Sequence, residues 1–425
     1  MMGGLRVRTI DVGNYIGETV EVWGWIEDKR ILGNIMFLTL KDGYGKIQVT
    51  IKRGGDASIY NRALATQRQS VVCVVGRVSK YNGSLELIPE KYYIVSQAHH
   101  PLPIDPTGRT PATLPNLIEY RPLSLRIDSV NAIFRIRSLV KKLIREYFYG
   151  LGAVEVDTPK IIATASEGGA ELFKVDYFDE VAYLAQSPQL YKEQLTMGLT
   201  YVFEIAQFYR AEKSHTRRHL TEFTSVDFEG AYIDYKGAMD ILEGLVKYVL
   251  NGVNEKGREY FEVIGVEPPK PVDKIPRLRY DELLEYVRGR GKYIRWGEDF
   301  DSEALALIGE KYHGFYFIVD WPWDAKPFYI YRVGDYTESF DLMYNSIELA
   351  SGGTREYRYT ELRRGIIDKD LNIESFTYHI RYYKYGMPPH AGFGLGLDRL
   401  IQILTGAENI REVVLYPRDP ERLIP

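Results

Sequence analysis

Through its first hundred residues the chain alternates between apolar and polar positions with a period of two. Val20-Glu-Val-Trp-Gly-Trp25 opens the pattern and Asn34-Ile-Met-Phe-Leu-Thr-Leu40 continues it. Lys46-Ile-Gln-Val-Thr-Ile51 follows a turn at Lys41-Asp-Gly-Tyr-Gly45. A period of two sends successive side chains to opposite faces, so each run predicts a strand. Residues 70–78 and 84–95 predict two more, split by the turn Tyr81-Asn-Gly83, and 57–66 predicts a short helix. After prolines spread from Pro101 to Pro115 the period lengthens. Ile133, Ile136, Leu139, Val140, Leu143 and Ile144 recur at three and four, which predicts a helix over 129–149, ended by Gly150 and Gly152. Residues 153–162 read as a strand whose Pro159 confines it to an edge or an interface. Residues 237–248 predict an amphipathic helix, and Leu400, Ile401 and Leu404 begin another.

Five strands with a helix between the third and fourth is the plan of an OB-fold barrel, which binds oligonucleotides across its second and third strands. Arg30, Phe37 and Gln48 sit on or beside those strands. An aromatic to stack on a base, with guanidinium and amide donors, suits exposed single-stranded RNA. The competing reading puts Phe37 in the core and Gln48 merely in solvent. The expected organisation is a barrel over 1–100, a proline-rich hinge over 101–128 and a second domain over 129–425, in which 250–320 is a covering module without evident chemistry.

The densest pattern is Tyr201–Tyr232. Two strand-like arms enclose the cationic loop Lys213-Ser-His-Thr-Arg-Arg-His219. On the return arm Thr224, Val226, Phe228 and Tyr232 fall on one face, and Phe223, Ser225, Asp227 and Glu229 on the other. Arg210 and Glu212 stand where the first arm meets the loop. Arginines grip phosphate oxygens in bidentate fashion and Phe223 offers a base a flat surface, so the hairpin suits a nucleoside triphosphate. A solvated basic loop on an ordinary sheet is the alternative.

Composition narrows the class. The chain of 425 residues is 45% hydrophobic and 26% charged, as a globular protein of two or three domains is. No apolar run of about 18 residues predicts a membrane span, and no secretory signal is evident at the start. The single cysteine, Cys73, lies in an apolar run, excludes an internal disulfide and fits a reducing, cytoplasmic compartment. A net charge of −4 argues against non-specific coating of nucleic acid but allows a local basic surface. Abundant tyrosine and charge with little Met, Cys or His lean towards a thermophilic source.

Other candidates follow the strands. Pro188 suits a first helical turn, which places Gln189 and Lys192 on one helix face; a lysine there opposes the helix dipole and points to an anionic ligand or simply to solvent. Glu348 and Ser351 close a strand at Gly352-Gly353, with Arg355 beyond, a set that suits magnesium beside phosphates. Gly392, Gly394 and Gly396 share one face of a strand, where a ligand can lie on bare backbone. No Gly-Lys-Ser/Thr loop or GxGxxG unit is present. His99-His100 has no partner at metal-ligand spacing and reads as linker.

Together these stretches resemble the class II aminoacyl-tRNA synthetases, most closely the archaeal aspartyl type, over nearly the whole chain. Val156-Asp-Thr-Pro-Lys160 is similar to the dimer-forming first motif. Tyr209–Glu212 with Arg218–Phe223 is similar to the second, and Gly394-Leu-Gly-Leu-Asp-Arg399 to the third. The resemblance implies an α+β fold: an N-terminal OB-fold β-barrel, then an antiparallel sheet flanked by helices, in a homodimer. It implies an ATP site of Arg210, Glu212, Arg218, His219, Leu220, Phe223, Glu348, Gly396, Asp398 and Arg399, with adenine between Phe223 and Arg399. It implies an aspartate pocket of Glu167, Gln189, Lys192, Arg210, Ser351 and Arg355, magnesium (Mg2+) on Glu348 and Ser351, and an anticodon contact through Arg30, Phe37 and Gln48. Arg210 and Arg399 take the catalytic roles.

The implied reaction is an aspartate–tRNA ligase reaction: ATP-dependent formation of aspartyl-adenylate and transfer to tRNA(Asp), with tRNA(Asn) an open second acceptor. Three departures concern tRNA discrimination: the asparaginyl flavour of Arg210–Phe223, Asp398 where glutamate is common, and Ile31 after Arg30. The rival readings are an asparaginyl-tRNA synthetase, an asparagine-forming paralogue, and an RNA-binding protein with an inactive core.

Overall fold

The computed structural model describes residues 5–164, 171–212 and 216–425. The chain divides into two compact units, residues 1–131 and 132–425.

The first unit is a closed barrel. Its strands are β1 (Leu5–Val7), β2 (Thr19–Leu32), β3 (Ile35–Lys41), β4 (Lys46–Lys52), β5 (Val71–Tyr81) and β6 (Ser84–Ser96), with helix α1 (Ala57–Ala65) after β4. β2 pairs with both β3 and β5, and β4 pairs in parallel with β6, which closes the ring. The long β2 bends through a register shift between Ile26 and Asp28. At Gly24 the neighbouring strand is so near that a Cβ would lie 2.3 Å from the Lys41 carbonyl oxygen. Met36, Leu38 and Leu40 of β3 point into the core with Val20, Val22, Val49 and Leu87. Cys73 is buried in β5. The stretch 101–128, expected as a hinge, forms short helices Leu114–Glu119 and Arg121–Ser124 within the first unit. Arg126 lies over the Trp25 ring at 4.7 Å, and its carbonyl accepts from Lys41 Nζ at 3.0 Å.

The second unit is built on an eight-stranded sheet. Helix α2 (Asp128–Gly150) leads into β7 (Val154–Glu155), then α3 (Gln189–Leu199), the hairpin β8 (Tyr201–Tyr209) and β9 (Glu222–Ala231), and α4 (Tyr235–Lys256). β10 (Arg277–Arg279), β11 (Phe315–Val319), β12 (Ser339–Tyr344), β13 (Ile347–Thr354), β14 (His390–Gly396) and α5 (Leu397–Thr405) follow. The strand order is β10-β11-β12-β13-β14-β9-β8-β7, antiparallel except at the two ends. One face packs on α2 and α4: Phe148 stacks on Phe203 and Phe228 at 4.8 and 5.4 Å, and Val226, Phe393 and Leu395 extend the same core.

Four expectations are corrected. The strand expected over 153–162 is broken: Val154–Glu155 is the sheet edge, and Ile161–Ile162 joins a separate three-stranded sheet. Within the intervening segment Thr158 turns to a side chain, donating through N and Oγ1 to the buried Glu204 carboxylate. Residues 250–320 do more than cover, since β10 and β11 extend the main sheet from there. Tyr232 leaves the strand face; it sits past β9 with φ of 64° and is exposed. Gly392 does not lie open to a ligand, because a Cβ there would meet the Phe228 carbonyl oxygen at 2.2 Å.

Candidate functional site

The sheet face away from α2 and α4 floors a cavity of about 470 Å³ in the second unit. Ser225 and Asp227 of β9 reach it because Val226 and Phe228, one residue out of phase, take the core side. Gly394 and Gly396 of β14 line it as bare backbone. Glu348 and Ser351 of β13 also line it, although three residues apart they belong on opposite faces of a regular strand. A bulge resolves this. Ala350 pairs with Leu342 and Glu348 with Met343, so Leu349 is the extra residue and the two polar groups share one side.

The outer part is cationic. The Arg210 guanidinium lies over the Phe223 ring at 5.2 Å and 3.9 Å from Glu212. Arg399, on the first turn of α5, donates to the Glu348 carbonyl at 2.8 Å and approaches His219 Nε2 at 3.4 Å. Burial, then the charge of Arg399, hold His219 below the usual imidazole range. Arg218 is exposed and Leu220 buried at the rim. Asp398 lies at the cavity edge, but its carboxylate is engaged structurally. It accepts from Arg137 Nη1 at 2.5 Å and from the Thr224 amide at 2.8 Å, which ties α5 to β9 and α2.

A second group was missed by sequence reasoning. Lys326 Nζ pairs with both carboxylate oxygens of Asp341 at 2.9 and 2.7 Å, and Asp299 lines the same corner. Burial pushes the Asp341 carboxyl up to about 6, Lys326 pulling against it and Glu348 adding to the rise. The available signal was a lone carboxylate inside the apolar run Ser339-Phe-Asp-Leu-Met-Tyr344. Among the described residues no group of three His, Cys, Asp or Glu forms a ready metal cage. Oxygen donors at Glu348, Ser351 and Asp341 nonetheless fit magnesium, which commonly takes one or two carboxylates and completes its shell with phosphate and water.

The inner end is a buried charge lattice. Lys192 is not a solvated helix lysine: it is 2% exposed, and Nζ reaches Asp227 Oδ1 at 2.9 Å, the Phe393 carbonyl at 3.0 Å and Glu229 Oε2 at 3.5 Å. Arg355 forks onto Glu229 at 2.9 and 3.2 Å. Burial pulls the Arg355 pKa down, but Glu229 outweighs it and the net shift is upward. Gln189 lines the cavity while donating to Glu193 at 2.6 Å. Glu167 lies outside the described residues.

On the barrel, Arg30 and Phe37 are cross-strand partners, Phe37 faces Thr50, and Thr39 faces Gln48. Arg30, Phe37 and Gln48 therefore share the outer face. Phe37 is half-buried between core residues Met36 and Leu38, so it is not a core side chain. Gln48 is exposed and donates to Thr50 at 3.2 Å.

With this geometry the comparisons are specific. The family described as tRNA synthetases class II (D, K and N) matches residues 115–420, and the OB-fold nucleic acid binding domain matches residues 20–95. The aspartate–tRNA(Asp/Asn) ligase of Archaeoglobus fulgidus is 43% identical over 430 residues, 99% of this chain and all of that protein. The aspartate–tRNA(Asp) ligase of Pyrococcus furiosus is 45% identical over 424 residues, 96% of this chain and 97% of that one. The asparaginyl-tRNA synthetase of Pyrococcus horikoshii, solved with asparaginyl-adenylate, superposes with a TM-score of 0.90 at 29% identity, covering both chains fully. An OB-fold barrel, an antiparallel sheet with an arginine-rimmed cavity, and matches spanning both units lead to one assignment: the chain belongs to the class II tRNA synthetases of the D, K and N group.

Proposed function

We propose that the chain is an aspartate–tRNA ligase. It activates L-aspartate with ATP to aspartyl-adenylate and passes the acyl group to the 3′ end of tRNA(Asp), with tRNA(Asn) as the second acceptor to be assayed. The observation that carries this reading is the cavity with Arg210, Arg218 and Arg399 towards one end and the cations Lys192 and Arg355 at or beneath the other. The relatives named aspartate–tRNA ligases support it.

In this reading the aspartate α-carboxylate attacks the α-phosphorus of ATP in line and pyrophosphate leaves. The terminal ribose hydroxyl of tRNA then attacks the acyl carbon and AMP leaves. No protein nucleophile is required. Arg210 and Arg399 orient the phosphates and offset the charge that builds on them, so rate comes from positioning and electrostatics. Phe223, His219, Leu220, Glu212 and Gly396 shape the nucleotide site. Glu348 and Ser351, with Asp341 behind them, would hold magnesium, which when bound neutralises phosphate charge. Gln189, Lys192, Ser351, Arg355 and Glu167 select the amino acid. The barrel, 1–100, reads the anticodon through Arg30, Phe37 and Gln48, and 129–425 carries the chemistry. The exposed apolar side chains Leu151, Val154 and Ile161 beside the β7 edge favour a homodimer. A cytoplasmic setting fits the single buried, unpaired cysteine.

Aspartate and asparagine are nearly isosteric, so charge must separate them. A carboxylate accepts from two cations, whereas an amide turns its NH2 towards one of them and leaves a donor unmet, which typically costs orders of magnitude. In pyrophosphate exchange the wild type is expected to favour aspartate at least about a hundredfold. Lys192→Leu is expected to lose most aspartate activity and narrow that ratio. A wild type that prefers asparagine makes the chain an asparaginyl enzyme. Label in free asparagine identifies the asparagine-forming paralogue, and no exchange at all identifies an inactive core. Charging of purified tRNA(Asp) and tRNA(Asn) then fixes the acceptor.

A further inference from the structure

Behind the proposed amino-acid pocket lies a buried carboxylate that the reaction does not use. Glu193, on α3, is fully buried. Its Oε1 accepts from Gln189 Nε2 at 2.6 Å and its Oε2 from the Tyr383 hydroxyl. His379 Nε2 and His390 Nε2 face Oε2 at 3.5 and 3.8 Å. Both rings are oriented by their other nitrogen. The Gln194 amide nitrogen can only donate, so at 2.9 Å it fixes His379 Nδ1 as the acceptor and leaves a ring proton on Nε2. The Pro388 carbonyl can only accept, so at 2.8 Å it fixes the proton of His390 on Nδ1. His390 Nε2 is buried and makes no hydrogen bond of ordinary length among the described residues. Burial pushes the Glu193 carboxyl up, but the two histidines facing it outweigh burial and hold it well below the usual range.

We infer that Glu193, held by Tyr383, His379 and His390, is a positioning residue that fixes the Gln189 amide with its carbonyl oxygen towards the cavity, and thereby selects substrates bearing an ammonium group. An acceptor-only neighbour forces Gln189 to spend its NH2 on Glu193. The carbonyl oxygen is then what Gln189 has left for the cavity it lines. A carbonyl accepts from an α-ammonium; an NH2 in its place repels one. Glu193→Gln keeps the shape of the site but offers a donor of its own, so Gln189 is free to turn over. This inference rests on the aspartate reading above and adds the residue that holds its selectivity in place.

The test compares aspartate with succinate, which has both carboxylates and no ammonium. In pyrophosphate exchange Glu193→Gln is expected to raise the aspartate KM by about tenfold or more, the scale of one lost hydrogen bond to a charged group. The inhibition constant of succinate and the KM for ATP stay within about twofold of wild type, because they do not use that bond. Gln189→Met is expected to show the same split, and adding Glu193→Gln to it to cost nothing further, since the two residues act as one unit. Parallel weakening of aspartate and succinate, or effects that multiply in the double variant, overturns the inference and leaves the aspartate reading intact. Gln189→Met keeps the test decisive if Glu193→Gln does not fold: equal losses for both ligands in that variant alone are enough to reject it. A wild type that activates no aspartate removes the functional reading and this inference with it.

Discussion

Arg399 shows how far a single residue can be read. Its sequence setting, a glycine-rich strand running straight into a helix, placed it at a site, and the structure puts it on the first turn of α5, bonded to the Glu348 carbonyl and close to His219. Arg399→Ala is expected to abolish aspartate-dependent pyrophosphate exchange while tRNA binding, measured by filter retention, changes only a few fold; exchange at the wild-type rate would show that the guanidinium does not serve the nucleotide. Lys192 was legible as a candidate but its burial was not, because Asp227, Glu229 and Phe393 lie 35, 37 and 201 positions away in sequence and meet it only in the fold. Asp341 was overlooked for the same reason. A carboxylate in an apolar strand looks out of place in sequence until Lys326 and Ser351 are seen around it.

At the scale of elements, period and punctuation identified the barrel strands, the hairpin and α2. They failed where the backbone departs from a regular period. The bulge at Leu349 leaves no mark in composition, yet it brings Glu348 and Ser351 to one face. The break between Glu155 and Ile161 follows from Pro159 and from Thr158 bonding to Glu204 rather than to a strand. Three elements meet at Arg137, which links the Asp398 carboxylate, the Thr224 hydroxyl at 2.9 Å and the Val413 carbonyl at 3.2 Å. Arg137→Ala leaves Asp398, 2% exposed, short of its cation. Breaking a buried pair from one side costs about 3–5 kcal/mol. Urea unfolding of the second unit is expected to show a loss of that order, with Asp398→Asn in the same chain recovering part of it. A loss below about 1 kcal/mol would mean that the junction is held by α5 packing alone.

For the whole molecule, the order barrel then sheet was legible because the change in period, from two to about three and a half, falls near the boundary between the units. The contribution of 250–320 to the sheet was not, since β10 and β11 are short and flanked by helices. Two units with separate surfaces predict separable defects. Phe37→Ala is expected to weaken tRNA recognition by about 1–3 kcal/mol, one lost base stack, seen as a raised tRNA KM in charging. Pyrophosphate exchange, which needs no tRNA, stays at the wild-type rate in that variant. Unchanged charging would return Phe37 to a purely structural part of the barrel wall.

The buried lattice of Lys192, Arg355, Asp227 and Glu229 has as many cations as anions. The floor beneath the proposed amino-acid pocket is therefore close to neutral before substrate arrives and casts little long-range field, whereas Arg210, Arg218 and Arg399 stand nearer to solvent. Mobile ions screen exposed charges far more than enclosed ones. Raising potassium chloride from about 0.05 to about 0.5 M is therefore expected to increase the KM for ATP severalfold and to leave that for aspartate almost unchanged. Ionic strength thus becomes a probe that separates the two recognition events proposed for one cavity: a diffuse, brine-sensitive grip on the nucleotide and an insulated one on the amino acid.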